Sequence, residues 1–421
     1  MLLSRIKSIL SPSGDARRSA SESIVDAGHL HLARADDPAG CAGVIKFGLV
    51  IADSAQSGSS LRVSIDHEPD ALTVSDLSPG QAVEIGAHFL MLGNGRHTIR
   101  FELAEPAGES SMLSSVIHVD HAPGLAEQAA KHLRDAGTPL LFEGACDSSM
   151  YPYGQATAAW FDRPDADAHV SDLLQRGEIN ATEAEQLRSF VRDGFLVLPD
   201  LIDEALIADV NAEIDDAIEK GYQGYEFGTS QRIEHLHVHY PKVRALWLDA
   251  RHRRYANLIF GATARPCQTL TYVFGSQQDA HQDTIHLTPF PAGFMCGTWI
   301  ALQDVVPDSG ELIVYPGSHR ERRVYLAETG CGKVEGDWTA FGQSVGKIWA
   351  DMTQRYEPFV YRPKKGTVLI WHENLLHAGS ARIDQTLQRR SIVIHCFADG
   401  VVAYYDSTGL VGSAVPRAEI A

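Results

Sequence analysis

Four residues in this chain have the types and spacing for metal chemistry: His281, Asp283 and, far downstream, His372 and His377. Two imidazoles and one carboxylate can bind one face of a metal such as Fe(II). The opposite face then stays open for a co-substrate and O2. On a β-strand, residues i and i+2 point the same way. His281 and Asp283 therefore converge, while Gln282 turns elsewhere. An H-x-D pair alone is a weak signal. It gains weight from the order of segments downstream: an apolar strand pattern, a glycine turn, a second strand, a distal histidine and the pair Arg389-Arg390. His286 reads either as a pocket residue within reach of a substrate or as a hydrogen-bonded wall histidine. His235, His237 and His239 alternate with Leu236 and Val238, which on a strand would put three imidazoles on one face. No carboxylate or cysteine completes a metal site there, so the run reads as a substrate-facing or structural polar ladder. Gln282, His286 and His237 are the substrate-contact candidates.

The elements that position these residues must fit in 421 residues, a length that points to about two domains. Apolar residues make up 44% and charged residues 21%, the balance of an ordinary globular protein. The formal net charge of -18 opposes binding to nucleic acid or to an anionic membrane surface. Two local basic clusters, 251–254 and 319–323, read as solvated surface. Six scattered cysteines without a C-x-x-C pair read as free thiols in a reducing compartment. Neither a secretory leader nor an apolar run long enough to span a bilayer is read, so a cytoplasmic location without membrane insertion is expected.

Residues 1–28 read as a mobile polar arm. From 29 to 122, short strands alternate with turn signals: 43–51, the strictly alternating 61–65, 82–90, 97–103 and 116–119. That rhythm predicts an immunoglobulin-like β-sandwich acting as an accessory domain, either a rigid spacer or a module that contacts a glycan or partner. Residues 123–165 read as a linker with a helix at 124–135. The second domain, 166–421, opens with a helix whose capping box is Thr182 to Glu185. Asp203 starts another helix, with Leu206, Ile207, Val210, Ile214 and Ile218 at helical spacing. Beyond 267 the pattern is strand-dominated.

Several further segments sharpen this reading: the entry 190–199, the strand 298–304, Gly310 to His319, Gly366 to Trp371, His377-Ala378-Gly379-Ser380 and Arg389-Arg390-Ser391-Ile392. Together with His281-Gln282-Asp283 they resemble the phytanoyl-CoA dioxygenase family of Fe(II)/2-oxoglutarate oxygenases, over roughly the last three-fifths of the chain. The resemblance implies a mainly β fold, a double-stranded β-helix (jelly roll) with flanking helices. It implies that Fe(II) binds to His281, Asp283 and His377, the last preferred to His372 because it occupies the family's distal position. 2-Oxoglutarate would be the co-substrate, with O2 in the remaining site. The segment after His377 carries one residue more than the family pattern. Arg389, whose planar guanidinium can pair with a carboxylate through two hydrogen bonds, is the expected anchor for 2-oxoglutarate, with Arg390 on the other strand face. Trp299 and Ser380 fall where the family lines the co-substrate pocket. A carboxylate at 283, where related halogenases have a small residue, points to hydroxylation, desaturation or ring chemistry. The expected substrate is a small polar or sugar-like molecule. The alternatives are an acyl-thioester, an amino acid, a secondary metabolite, or a silent jelly roll that only binds.

Overall fold

The computed structural model describes residues 25–35, 43–66, 71–121 and 123–420, so nearly all of the expected arm and Cys41 lie outside the described residues. The chain divides into two compact units. One comprises Met1–Ala156 with Gly400–Pro416, the other Thr157–Asp399 with Arg417–Ala421.

In the first unit, β1 (Val25–Ala27), β2 (Leu30–Ala35), β3 (Val44–Ile51), β6 (Ala82–His88) and β9 (Leu141–Glu143) form one sheet in the order 1-2-3-6-9. β4 (Ser59–Ile65), β5 (Leu72–Leu77), β7 (Gly95–Ala104) and β8 (Ser110–Val119) form a second in the order 5-4-7-8. All the pairings are antiparallel. The alternation read at 61–65 is the cause: Leu61, Val63 and Ile65 face inward and Arg62 faces solvent. They share one apolar core with Ile45, Phe47, Leu49, Ile85, Phe101 and Leu103, which come from both sheets. Strand β5 was not read from the sequence, because Asp76 in the left-handed region (φ 59°) interrupts its alternation.

The second unit holds a six-stranded antiparallel sheet in the order 10-17-14-19-12-11. Its strands are β10 (Phe195–Leu198), β11 (Ile233–Glu234), β12 (Ala264–Tyr272), β14 (Met295–Ala301), β17 (Val368–His372) and β19 (Ser391–Ala398). A smaller sheet orders β15 (Leu312–Val314) between β16 (Phe359–Tyr361) and β18 (His377–Gly379), and the short β13 is Thr288–Phe290. This is a jelly roll flanked by helices.

The helix Ala181–Asp193 is capped by Asn180, not Thr182. The Asn180 side chain accepts from Glu183 N and the Glu183 carboxylate accepts from Asn180 N, both at 2.9 Å, so the box sits two residues earlier than the sequence reading. Gly194 ends that helix at φ 84°, and a Cβ there would lie 2.5 Å from the His319 ring. Asp203 caps Glu204–Glu219, which buries Ile207, Val210, Ile214 and Ala217.

The expected 123–165 linker is largely built structure, with the helix Leu125–Asp135, strand β9 and several single helical turns. The segment Gly400–Pro416 was expected in the dioxygenase domain but groups with the first unit. It carries β20 (Val402–Tyr405) and β21 (Leu410–Val411). Lys46 Nζ and the Cys146 amide both donate to the Gly409 carbonyl, at 2.9 and 2.8 Å, and the Tyr153 and Tyr404 hydroxyls meet at 2.9 Å. No local sequence signal marks contacts that close so long a loop.

Candidate active site

The site is built on backbone pairing. The His281 amide donates to the His377 carbonyl (3.0 Å) and the His377 amide donates back (3.1 Å), so the two histidines face each other across one antiparallel bridge. Their rings stand 4.2 Å apart between centroids. The strand expected at 281–283 is not there. His281 is an isolated bridge residue, and Asp283 opens a single helical turn, Asp283–Ile285. Convergence comes from the turn rather than from the pleat. The Asp283 and Thr284 amides both donate to the Glu373 carbonyl, at 3.0 and 3.1 Å, which swings the carboxylate toward the rings. One ligand atom from each of His281, Asp283 and His377 lies within 4.8 Å of the other two, and all three residues are buried.

Each imidazole is oriented by its other nitrogen. His281 Nδ1 donates to the Asp279 carbonyl at 2.8 Å and His377 Nδ1 to the Leu375 carbonyl at 3.0 Å. A carbonyl can only accept, so both rings carry their proton on Nδ1. The Nε2 lone pairs are left facing Asp283 Oδ1, at 3.6 and 3.7 Å. Burial lowers the His281 pKa to about 3, so the ring is neutral and able to ligate at ordinary pH. Burial raises the Asp283 carboxyl, but the His377, His395 and His281 imidazoles around it pull it further the other way, well below the ordinary carboxylate range. Two imidazole nitrogens and one carboxylate oxygen, convergent and buried, fit a divalent iron ion.

Arg389 lies buried on the run into β19. Its Nε donates to the Gly310 carbonyl at 2.9 Å, its Nη1 to the Ser391 hydroxyl, and its guanidinium lies over the rings of Trp299 (5.4 Å) and Tyr272 (5.7 Å). No carboxylate pairs with it among the described residues, and Nη2 has no acceptor there. Burial pushes its pKa down to about 10. Such a charge favours an incoming anion. Arg390 turns outward and pairs with the exposed Asp215 at 2.6 Å. Trp299 is buried beside Tyr361 and Arg389. The Ser380 hydroxyl donates to Glu311 Oε2 at 2.9 Å.

Three sequence candidates change role. Gln282 is fully buried, its amide donating to the Arg322 carbonyl (3.2 Å) and accepting from Trp349 Nε1 (3.1 Å). Both ends are committed, so it braces the wall instead of meeting a substrate. The run 235–239 is not a strand: His235 sits at φ 54° and Leu236–Val238 form a helical turn, so strand alternation does not line up the imidazoles, although the His235 and His237 rings meet edge-on at 5.8 Å. His237 stacks on Trp247 at 3.9 Å and meets Thr269 Oγ1 at 3.0 Å. His372, the rival ligand, lies on the opposite face of β17, against Phe161, Phe190 and Asp162. His286 stands 6.2 Å from the His281 ring within an aromatic group of Trp338, Phe341 and Trp349. Trp338 in that group is 46% exposed.

Sequence reasoning missed Trp371, His395 and Gln268. Together with Gly297 they form one cross-strand row, β17-β14-β19-β12, on the face that looks into the barrel. Trp371 Nε1 donates to Asp283 Oδ2 at 2.7 Å, and His395 Nε2 faces the same oxygen at 3.4 Å. A Cβ at Gly297 would fall 2.2 Å from the Trp371 ring, so the glycine is what lets the indole lie across β14.

Residues 190–390 match the phytanoyl-CoA dioxygenase (PhyH) family. No curated protein matches the chain. Among solved structures it is similar to SnoK, the non-heme alpha-ketoglutarate-dependent carbocyclase from nogalamycin biosynthesis, at 20% identity and a TM-score of 0.44 over 55% of this chain and 88% of that one. It is similar at 19% identity and a TM-score of 0.44 to EctD from S. alaskensis with 2-oxoglutarate and 5-hydroxyectoine, over 57% of this chain and 86% of that one. The epimerase SnoN, in complex with Fe3+, alpha ketoglutarate and nogalamycin RO, matches at 18% identity and a TM-score of 0.42 over 53% of this chain and 86% of that one. The matched stretch contains the three convergent donors and Arg389, so residues 190–390 are a phytanoyl-CoA dioxygenase domain, and the activity is that of an Fe(II)/2-oxoglutarate-dependent dioxygenase.

Proposed function

We propose that His281 Nε2, His377 Nε2 and Asp283 Oδ1 hold the iron by one face, and that the protein hydroxylates a C–H bond of a small, ring-bearing polar substrate. The observation that carries the metal assignment is the convergence of three buried donor atoms within 4.8 Å, with both histidines locked in the ligating tautomer. Bound Fe(II), 2-oxoglutarate and O2 supply an oxidative decarboxylation to succinate and CO2, which drives the hydroxylation. The chain's own residues do the rest. Arg389 anchors the distal carboxylate of 2-oxoglutarate, supported by its burial and its lack of an acidic partner among the described residues. Trp299 walls that pocket and keeps water from it. His286 and Trp338 offer a polar edge and an exposed indole face to the substrate, which suits a sugar-like ring. The first unit reads as an immunoglobulin-like accessory module, supported by two antiparallel sheets on one core.

The test is spectroscopic. Fe(II) plus 2-oxoglutarate under anaerobic conditions should give a visible metal-to-ligand charge-transfer band. Asp283→Ala should lose the band, the bound iron and all turnover while staying folded. An Ala variant with normal iron content would move the metal elsewhere.

A further inference from the structure

Asp283 offers two oxygens, and the structure treats them differently. Oδ1 faces both ligating imidazoles, at 3.6 and 3.7 Å. Oδ2 accepts from the Trp371 indole at 2.7 Å and faces His395 Nε2 at 3.4 Å. The indole bond is short and well formed. The imidazole contact is looser, without full hydrogen-bond alignment. An ionised carboxylate only accepts, so the His395 nitrogen turned toward it must carry a proton. On the ring's other side Gln268 Nε2 donates to Nδ1 at 2.9 Å, so Nδ1 accepts. Register sets this relay: His395 lies opposite Gly297 on one side and Gln268 on the other, and Gly297 lies opposite Trp371.

We propose that Trp371 and His395 are positioning residues that hold Asp283 by Oδ2, so that Oδ1 alone reaches the iron, and that Gln268 fixes the His395 tautomer for this task. The proposal rests on the metal assignment above. Its chemical sense lies in counting sites. An octahedral ion with three protein ligands and a bidentate 2-oxoglutarate has one position left for O2. A carboxylate free to rotate and bind through both oxygens would take it. A donor pair on Oδ2 also keeps the carboxylate aimed before metal arrives, which lowers the ordering cost of binding.

The experiment is a Co(II) titration of the metal-free full-length protein, followed by absorbance, together with the Fe(II)-2-oxoglutarate band under anaerobic conditions. His395→Leu and Trp371→Phe should each weaken Co(II) binding by about 10- to 100-fold and shift the band. His395→Gln, whose amide can still donate toward Oδ2, should restore binding to within about threefold. Unchanged affinity and band in His395→Leu and Trp371→Phe would overturn the proposal. Equal losses in His395→Gln and His395→Leu would also overturn it, because packing and not donation would then be the cause. Should Trp371→Phe fail to fold, the two His395 variants decide. Failure of the wild type itself to bind Co(II) or show the band would reject the metal assignment instead.

Discussion

At the scale of single residues, the two neighbouring arginines give the sharpest contrast. Arg389 is buried without an acidic partner among the described residues, while Arg390 spends its charge on the exposed Asp215. Arg389→Ala should weaken 2-oxoglutarate by about 2–4 kcal/mol, tens- to several-hundredfold in affinity. Arg390→Ala should change it by less than about threefold, since an exposed ion pair contributes little. Titrating the charge-transfer band with 2-oxoglutarate measures both, and the reverse ranking would move the anchor. The candidate donors at 281, 283 and 377, which the structure brings together, were legible in the sequence because imidazole and carboxylate chemistry is written in residue identity. The indole and imidazole behind Asp283 were not. Trp371 and His395 sit 88 and 112 positions from it and meet it only through strand register. A tryptophan or histidine inside an apolar strand looks the same whether it packs or donates.

At the scale of elements, the long apolar strands and the helix after Asp203 were legible from periodicity. The conformation around the ligands was not. Pleat logic put His281 and Asp283 on one strand face, whereas a backbone bridge and a helical turn bring them together. The reason is physical: the Glu373 carbonyl competes for the Asp283 amide, and this long-range hydrogen bond outweighs local strand preference. The same sheet gives a prediction at Gly297. Gly297→Ala puts a methyl 2.2 Å from the indole, and the neighbouring strands fix the backbone. Overpacking of this kind costs about 1–3 kcal/mol. The larger effect should be on metal affinity, because the displaced ring is the one that donates to Asp283. Comparing the thermal midpoint with the Co(II) dissociation constant separates the two. A variant with lowered stability and unchanged metal affinity would uncouple the glycine from the site.

At the scale of the whole molecule, one source of acid sensitivity lies in the first unit. His88 is fully buried in the first unit, its ring nitrogens without hydrogen-bond partners among the described residues, and burial lowers its pKa to about 4. The folded pKa lies below the unfolded one, near 6.5, so the unfolded chain binds more protons between those values. Stability is complete above about pH 6.5 and falls as pH drops toward 4, by up to about 3 kcal/mol for this group. His88→Phe should flatten that decline in the melting of the first unit. An unchanged pH profile would assign the loss to other groups. A second prediction concerns the tail. A chain ending at Asp399 removes Tyr404, Val402 and Ala414, all fully buried, from the first unit. Limited proteolysis should then cut within 1–156 far faster than in the full chain, and equal resistance would show the tail to be dispensable there. The sequence placed this segment in the wrong unit, since apolar β-pattern says that a strand is buried but not in which core.

That returning tail ties folding to the direction of protein synthesis. The part of the first unit up to residue 156 leaves the ribosome before its remaining strands, which come only after the whole 157–399 segment. At about 5–20 residues per second, this leaves β3 and its neighbours without β20 and β21 for roughly ten to fifty seconds. A unit whose buried tail residues are still missing for that long is a natural client for a chaperone. Yield in the cell should therefore depend on elongation speed and holdase supply even where the finished protein is stable.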